Sequence, residues 1–333
     1  MSHDAISSSP VISLRGIGKQ FPGVRANHRI DLDIFPGEIH AVLGENGAGK
    51  TTLMNILAGL YRPDEGRILF EGRPVRLRGP ADAMALGIGM VHQHFTLIPS
   101  FTVAENIVLG LKRSFMMTGK VELEKAINAQ AERFHVRVDA GAPVWQLSVG
   151  EQQRVEILKQ LYRGARILIL DEPTAVLAPQ EVDTFFETLR SMVRDRRSVI
   201  FISHKLEEVT RLAGVVSVLR KGALVAHRLP VLGETPATLA AHMVGRQVEL
   251  PVFTERAPPG SELVRIERLW VKGDRFTDAL CGVDLTVRAG EILGIAGVSG
   301  NGQRELVEVM TGRRRATAGK IRLGELDITG ASA

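Results

Sequence analysis

Short apolar runs alternate with longer amphipathic stretches over most of the chain. Three runs of five or six residues have few charges and are bounded by polar residues or Gly: 38–43, 166–170 and 198–202. Four stretches have the apolar periodicity of helices: 49–59, 121–134, 148–162 and 179–193. Buried strands that alternate with helices predict a doubly wound α/β core. Residues 11–34 and 67–77 resemble antiparallel strands instead, and we expect them to form a small β layer beside that core.

An internal repeat defines the predicted domain organisation. Residues 37–47 (GEIHAVLGENG) return 253 positions later as residues 290–300 (GEILGIAGVSG). Residues 66–72 return as residues 319–325 at the same offset, so no net insertion separates the two pairs. A fixed offset of this kind indicates two copies of one structural unit.

Four parts follow from the repeat. They are a disordered tail at 1–10, a first unit at 11–246, a linker at 247–262 and a second unit at 263–333. The linker has three Pro in its first fifteen residues and no periodicity. Because the second unit is much shorter than the first, we expect it to be the N-terminal part of a truncated copy.

Composition and charge set broad limits on the class of protein. The 333 residues carry a formal charge of +5, with 44% hydrophobic and 24% charged residues, which is ordinary for a globular protein. The single cysteine, Cys281, excludes an internal disulfide framework and favours a reducing compartment. The first residues lack the features of a secretory signal, and no run approaches the ~18 apolar residues of a spanning helix. Membrane association is therefore expected through a partner or at the surface.

A glycine-rich motif predicts a phosphate site. Residues 44–52 (GENGAGKTT) match G-x-x-x-x-G-K-[ST] and lie between an apolar run and a helical stretch. Glycines let backbone N–H groups turn toward phosphate oxygens, and the helix N-terminus adds the positive end of its dipole. Lys50 is expected to reach the β and γ phosphates, and Thr51 to offer its hydroxyl to Mg²⁺. The predicted nucleotide-binding residues are Gly44, Glu45, Asn46, Gly47, Ala48, Gly49, Lys50, Thr51 and Thr52.

Two carboxylates follow the apolar run at 166–170. The carboxyl end of a strand beside the phosphate loop is where an open α/β sheet places metal ligation and catalysis. Asp171 is expected to hold the water shell of Mg²⁺, and Glu172 to act as the general base on the attacking water. The plainer alternative is a solvated strand end.

Residues 147–153 (LSVGEQQ) open a predicted helix, with Ser148 as the N-cap and Glu151 in the third position of a capping box. This heptad resembles the signature motif of ATP-binding cassette (ABC) proteins, and the order of phosphate loop, signature and Asp-Glu pair matches their cassettes. The resemblance implies a P-loop NTPase fold with a parallel-sheet core, an antiparallel β subdomain and a helical signature subdomain. It also implies ATP and Mg²⁺ as ligands, with Ser148, Gly150 and Gln152 of one cassette facing the phosphate loop of another.

The same resemblance implies roles for other single residues. Gln93 resembles the Q-loop glutamine near Mg²⁺ and the attacking water, and His204 resembles the switch histidine that contacts the γ-phosphate. Phe21 resembles the aromatic residue on which adenine stacks. On their own, these three would be a polar loop residue, a structural histidine and a core aromatic. Ala178 stands where many cassettes have the final Asp of the D-loop.

Finer motifs resemble one branch of the family. Two cassettes in one chain, with KQFPGV at 19–24 and MVGR at 243–246, are similar to the ATPase subunits of bacterial importers for ribose-type sugars or nucleosides. DEPTAVL at 171–177 and GVSGNGQREL at 297–306 favour the nucleoside branch. This resemblance implies partner permeases, an extracytoplasmic solute-binding protein and a peripheral position on the cytoplasmic face of the inner membrane. Residues 95–111 would receive a helix of the permease, although TVAEN within them is also an acceptable helix start.

The second copy differs from the first in its side chains. At the offset of 253, Lys50 corresponds to Gln303 and Thr51 to Arg304, while the three glycines Gly44, Gly47 and Gly49 correspond to Gly297, Gly300 and Gly302. A neutral amide cannot supply the phosphate-facing charge, so we expect weak or no hydrolysis there. Either the second loop binds nucleotide without hydrolysing it, or Arg304 supplies charge in an altered geometry. Because the first phosphate loop needs the signature of another cassette, this chain alone is expected to hydrolyse MgATP poorly unless two copies pair.

Two other functions were compared with transport. A non-transport ABC ATPase acting on ribosomes or DNA would be expected to have two intact phosphate loops and a charged helical linker, or zinc-binding cysteines. The sequence has none of these features, so no nucleic-acid partner is expected. A P-loop kinase outside the ABC family would leave residues 147–153 unexplained.

Overall fold

The computed structural model describes residues 9–92, 95–111, 119–134, 136, 138–175, 177, 179–245, 258–273, 277–297 and 301–331. They fall into two units, residues 9–245 and residues 258–331. The first unit contains ten strands and eight α-helices among its described residues. Their order is β1 (Ile12–Phe21), β2 (Val24–Ile34), β3 (Ile39–Leu43), α1 (Lys50–Leu57), β4 (Glu65–Phe70), β5 (Arg73–Val75), α2 (Pro80–Ala85), β6 (Ile88–Val91), α3 (Val103–Val108), α4 (Lys120–Arg133), α5 (Val149–Tyr162), β7 (Ile167–Asp171), α6 (Pro179–Arg194), β8 (Ser198–Ile202), α7 (Leu206–Leu212), β9 (Val215–Arg220), β10 (Ala223–Pro230) and α8 (Pro236–Val244).

A six-stranded sheet forms the centre of the first unit, with the strand order β10-β9-β3-β8-β7-β6. All neighbouring pairs are parallel except β9 and β10. The three apolar runs of the sequence are β3, β8 and β7, which lie side by side, and every residue in them is buried. This arrangement confirms the predicted α/β core, because strands buried on both faces must be apolar at nearly every position.

Alternate residues of these strands enter two separate hydrophobic cores. On β8, Val199 and Phe201 pack with the helices on one face, whereas Ile200 and Ile202 pack with β1, β2, β4 and α1 on the other. Successive side chains of a strand point to opposite faces, so a five-residue strand serves both layers. The sheet therefore fixes where β3 and β7 end relative to each other.

The predicted β layer is a four-stranded antiparallel sheet with the order β2-β1-β4-β5. Ile12 of β1 pairs with Ile34 of β2 and with Phe70 of β4, so all three point into the same core. The layer confirms the antiparallel strands expected at 11–34 and 67–77. It brings β2 beneath the loop that joins β3 to α1.

The second unit repeats part of this plan. It contains β11 (Glu262–Lys272), β12 (Asp278–Arg288), α9 (Gln303–Met310), β13 (Ala318–Leu323) and β14 (Leu326–Asp327). Its strand order, β12-β11-β13-β14, matches β2-β1-β4-β5. Residues 292–296 correspond to β3 but form no strand, and Ile292 is fully exposed. In the first unit β3 lies between β8 and β9, and the described part of the second unit has no counterpart of either strand to pair with.

A partly buried polar network lies at the start of β3. Arg228 of β10 donates from both terminal nitrogens to the Glu38 carboxylate, at 2.7 and 2.9 Å. The His40 ring is fully buried, with Nε2 2.8 Å from the Ser217 hydroxyl and Nδ1 3.3 Å from Glu38 Oε1. These contacts join β3, β9 and β10, and so position the strand that leads into the phosphate loop.

The free energy of unfolding should decrease as the pH falls below about 6.5, and decrease further below about 4.5. Burial lowers the pKa of His40 from 6.5, so unfolding takes up a proton at that ring below this pH. For Glu38, burial raises the pKa, but hydrogen bonds from His40 and Arg228 outweigh it and lower the pKa from 4.5 to about 2. Stabilisation by Glu38, about 3 kcal/mol, is thus present above pH 4.5 and lost as the pH falls toward 2.

Urea unfolding at about pH 8 and about pH 5 measures the His40 contribution. The native chain should lose up to about 2 kcal/mol between these values through this ring, and His40→Gln should lose less. His242→Gln, at an exposed histidine, is the control and should behave like the native chain. Equal pH dependence in all three proteins would show that His40 is not the source.

Candidate functional site

The loop between β3 and α1 depends on glycines that no other residue can replace without strain. Gly44 has a φ of +153° and Gly49 a φ of +98°, which favour glycine. A Cβ atom at Gly44 would lie 2.3 Å from the Leu219 carbonyl oxygen, and one at Gly49 would lie 2.1 Å from the Ala26 carbonyl oxygen. The loop therefore packs directly on the backbones of β9 and β2, which hold its N–H groups in place.

Lys50 is the first residue of α1 and its side chain is buried beneath the loop. Its Nζ donates to the carbonyl oxygens of Gly44 and Glu45, at 2.8 and 2.9 Å. Burial lowers the pKa of Lys50, whereas the nearby carboxylates of Glu172 and Asp171 raise it. No side chain caps the start of α1 at Gly49. A cation and uncapped helix N–H groups thus face the same space, a combination that favours a bound anion.

Thr51 and Asp171 come together from α1 and the end of β7. The Thr51 side chain lies close enough to influence the Asp171 carboxylate, and Asp171 is 6% exposed. Burial raises the pKa of Asp171, while the nearby Thr51 hydroxyl lowers it and the Glu172 charge raises it. A hydroxyl and a carboxylate are oxygen ligands of the kind that Mg²⁺ prefers, and Mg²⁺ usually keeps further water and phosphate ligands. The donor set therefore fits this ion.

Glu172 and His204 meet at the ends of two neighbouring parallel strands. His204 Nδ1 lies 3.0 Å from Glu172 Oε1. Glu172 has a φ of +47°, and its N–H donates to the Ile202 carbonyl oxygen at 3.0 Å. This turn directs the carboxylate away from the strand and toward the histidine. The predicted base and the predicted switch histidine are thus in direct contact.

A cleft of about 630 Å³ collects most of the predicted nucleotide-binding residues. Its lining residues are Phe21, Val24, Ala26, Asn46, Gly47, Ala48, Gly49, Lys50, Thr51, Thr52, Asp171 and Glu172. Phe21 lies at the end of β1, next to a Pro-Gly turn that pairs it with Val24. Its ring packs edge-on against Tyr61, with centroids 5.5 Å apart.

Three residues at or beneath this cleft were missed by sequence reasoning. Val24 and Ala26 line it from β2, and the Pro-Gly turn after Phe21 was the signal that could have identified Val24. Asn27 is fully buried in β2 and donates from Nδ2 to the Gly49 carbonyl oxygen at 3.1 Å. β2 has many polar residues, so its sequence could not show which of them supports the loop.

The signature residues lie at the start of α5, and none of them lines the cleft. Ser148 forms the predicted capping box with Glu151: its hydroxyl accepts from the Glu151 N–H, and the Glu151 carboxylate accepts from the Ser148 N–H at 2.8 Å. Gly150 packs against the Glu181 carboxylate, and Gln152 donates to the Leu147 carbonyl oxygen at 3.1 Å. Gln93 and Ala178 lie outside the described residues.

A larger cavity, of about 1140 Å³, opens between α4, α5 and α6. Its lining mixes acidic and basic side chains, such as Glu132, Asp139, Arg154 and Arg194, and has no glycine-rich loop. We therefore take the smaller cleft as the functional site, because it alone among these two contains the phosphate-binding and catalytic residue types.

In the second unit, the loop before α9 keeps part of this geometry. Gly302 has a φ of +94°, close to that of Gly49, and the Gln303 amide nitrogen lies against Gly297. Arg304 forms an ion pair with Glu308 at 2.8 Å. The side chain at the position of Thr51 is thus engaged along its own helix, whereas Thr51 lies beside Asp171.

Comparison with known proteins agrees with this geometry. Residues 27–175 match the family model described as ABC transporter. The solved structure of cbiO1 from Clostridium perfringens, part of the ABC transporter complex cbiONQ, has a TM-score of 0.59 and 27% identity, covering 70% of this chain and 92% of that one. The helices among the described residues include none that is long and apolar enough to cross a membrane.

Curated relatives extend the similarity across both units. A glucose import ATP-binding protein of Haloferax volcanii is 46% identical over 98% of this chain, and a guanosine import ATP-binding protein of Bacillus subtilis is 46% identical over 94%. The chain spans 64% and 61% of the length of these two proteins. From its phosphate loop, its fold and these relatives, the chain belongs to the ABC transporter family of ATP-binding proteins.

Proposed function

We propose that this chain binds and hydrolyses ATP as part of an importer of nucleosides or simple sugars. The observation that carries this proposal is the single cleft in which Lys50, the Thr51–Asp171 pair and Glu172 surround one space. Each of these groups has a separate task in phosphoryl chemistry, and a merely structural glycine turn would need none of them.

Nucleotide binding is assigned to the loop, to Lys50 and to Phe21. Backbone N–H groups of residues 44–52 and the Lys50 cation hold the phosphates, and the exposed part of the Phe21 ring offers a face to adenine. Thr51 and Asp171 would hold Mg²⁺, with Gln93 as a further ligand. When bound, the ion neutralises charge on the β and γ phosphates.

Hydrolysis is assigned to Glu172 and His204. Glu172 accepts a proton from the attacking water as that water forms a bond to the γ-phosphorus and the bond to the β-phosphate oxygen breaks. His204, 3.0 Å from this carboxylate, orients it and contacts the γ-phosphate. Gln93 is assigned to the water near the ion.

A complete site needs a second cassette. Ser148, Gly150 and Gln152 lie apart from the cleft in their own unit, as expected if they complete the site of another cassette. We propose that residues 11–246 form one cassette and residues 263–333 the first part of a second, degenerate one. The matching strand order and the matching positions of α1 and α9 support this division.

The proposed partners follow from the relatives. These are named as import proteins for glucose, nucleosides, guanosine and ribose, which supports a nucleoside or sugar as the solute. An importer of this kind requires integral-membrane permeases and an extracytoplasmic solute-binding protein. We assign residues 95–111 to permease docking, and place the chain on the cytoplasmic face of the inner membrane.

ATP turnover across a dilution series of the chain tests this proposal. Turnover per chain should be low in dilute solution and rise with concentration, because pairing of two copies brings a signature to each first cleft. MgATP should still bind at the lowest concentration, because the phosphate loop and Lys50 lie within one chain, and pairing should only tighten that binding. Strong turnover that is independent of concentration would contradict the shared site, and a failure to bind MgATP at any concentration would contradict the function itself.

A further inference from the structure

Helix α5 carries three polar side chains that are almost completely buried. Gln153, Glu156 and Lys159 are 1%, 4% and 8% exposed, and successive members are three residues apart. We call them the α5 polar row. Residues three apart lie close together on a helix surface, and burying charged groups is costly unless they are paired and hydrogen-bonded. Each member of the row should therefore have a specific partner.

Glu156 is bonded to the segment that follows residue 94. Its Oε1 accepts from both the N–H and the hydroxyl of Thr96, each at 2.8 Å. Lys159 Nζ lies 3.6 Å from Glu156 Oε2 and donates to the Thr96 hydroxyl oxygen at 3.5 Å. A single exposed loop residue is thus held by a buried ion pair.

Further hydrogen bonds hold the rest of residues 95–111 together and join it to the end of α5. Asn106 of α3 is 1% exposed, accepts from the Ile98 N–H at 2.7 Å and donates to the Ile98 carbonyl oxygen at 3.0 Å. Arg163, just after α5, donates to the Leu109 carbonyl oxygen at 2.6 Å. Because α5 contacts the segment near both ends, the segment and the helix should move as one body.

Helix α5 is also bonded to the loop that follows Glu172. Gln153 Nε2 donates to the carbonyl oxygen of Pro173, the residue directly after Glu172. Lys205, directly after His204, donates to the Thr174 carbonyl oxygen at 2.9 Å. The helix that begins with the signature residues is therefore bonded to the loop that carries the proposed base.

We propose that Glu156 is a positioning residue which, through Thr96, couples residues 95–111 to the nucleotide cleft, with Gln153 completing the connection to the loop after Glu172. The inference rests on the proposed function, because it needs nucleotide in that cleft. A buried ion pair can often be replaced by apolar residues of similar volume without loss of stability. Stability alone therefore does not require the α5 polar row. A fixed geometry between residues 95–111 and the loop after Glu172 does require it.

Amide hydrogen exchange of the full chain, with and without MgATP, tests the coupling. In the native chain, MgATP should slow exchange in residues 44–57 and change exchange in residues 95–111. Thr96→Val removes one donor to Glu156 at an exposed position, and Glu156→Gln removes the charge at similar volume. In both variants the effect at 44–57 should stay within about twofold, and the effect at 95–111 should fall at least threefold.

Thr96→Ser and Glu122→Gln are the matched controls. Serine keeps the hydroxyl donor, and Glu122 is exposed on α4, so both should retain the full response at residues 95–111. An undiminished response in Thr96→Val would overturn the coupling, as would a native chain in which nucleotide affects only residues 44–57. Absence of any effect at 44–57 in the native chain would instead refute the proposed function, and the coupling with it.

Discussion

Replacing Glu172 with Gln should lower the rate of ATP hydrolysis by about 10²–10⁴-fold and leave MgATP affinity within about twofold. Glutamine keeps the size of the side chain and a hydrogen-bonding oxygen for His204, but it cannot accept the proton of the attacking water. Binding is carried by the loop and by Lys50, which the substitution does not touch. The expected result is therefore a large loss of turnover without a loss of nucleotide.

Phosphate release measures this effect at the highest chain concentration of the dilution series, and calorimetry measures affinity. Glu122→Gln, an equal change of charge at an exposed site on α4, is the control and should keep native turnover. Because the variant does not consume ATP, paired chains should also persist longer with MgATP in gel filtration. Turnover within fivefold of native would mean that another group acts as the base.

Replacing Lys50 with Met should weaken MgATP binding by about 100-fold. Hydrogen bonds to charged groups contribute about 1.5–3 kcal/mol, and each 1.4 kcal/mol changes a dissociation constant about tenfold. Methionine keeps the apolar stem, so the buried space stays filled. The substitution also removes the hydrogen bonds from Nζ to the Gly44 and Glu45 carbonyl oxygens, so the fold of the variant is measured separately.

Calorimetric titration with MgATP measures the loss, and thermal unfolding checks the fold. Gln303→Met is the matched control, since Gln303 occupies the position of Lys50 in the second unit. It should leave the affinity of the first cleft unchanged, because Gln303 carries no charge to lose. Equal weakening in both variants would show that the measured binding is not governed by the first loop.

The elements predicted from the sequence are those with one clear periodicity. Strands β3, β7 and β8 and helices α4, α5 and α6 lie within two residues of their predicted bounds. β6, β9 and β10 were not predicted, and neither were α2, α7 and α8, whereas α3 begins at the helix start noted in TVAEN, with Thr102 as its N-cap. Most of these elements are short or have no clear apolar periodicity. Whether they form a helix or a strand therefore depends on the sheet and the cores against which they pack.

The repeat predicted more similarity between the two units than the structure has. Residues 290–300 copy the sequence around β3 closely, yet residues 291–297 form no strand and Ile292 is fully exposed. A central strand is stabilised by its neighbours on both sides, and the described second unit supplies neither. Sequence similarity to a strand therefore did not predict that the strand forms.

The candidate site divides in the same way. The phosphate loop, Asp171 and Glu172 could be predicted from the sequence, because the residues of each motif are neighbours along the chain and follow an apolar run. The contact of Glu172 with His204, the support of Gly49 by Asn27 and the bond from Glu156 to Thr96 join residues far apart in the chain. No spacing rule connects such pairs, since the order of strands in the sheet decides which strand ends meet.

By itself, the sequence determined the class of fold, the phosphate loop and a second stretch of similar sequence, because all three are encoded in local patterns and in a constant offset. Only the tertiary structure decided which residues share a cleft, that the signature residues lie apart from it, and that α5 is bonded to both the catalytic loop and residues 95–111. These relations arise from packing across the central sheet, where partners are selected by shape and by the need to satisfy every buried polar group.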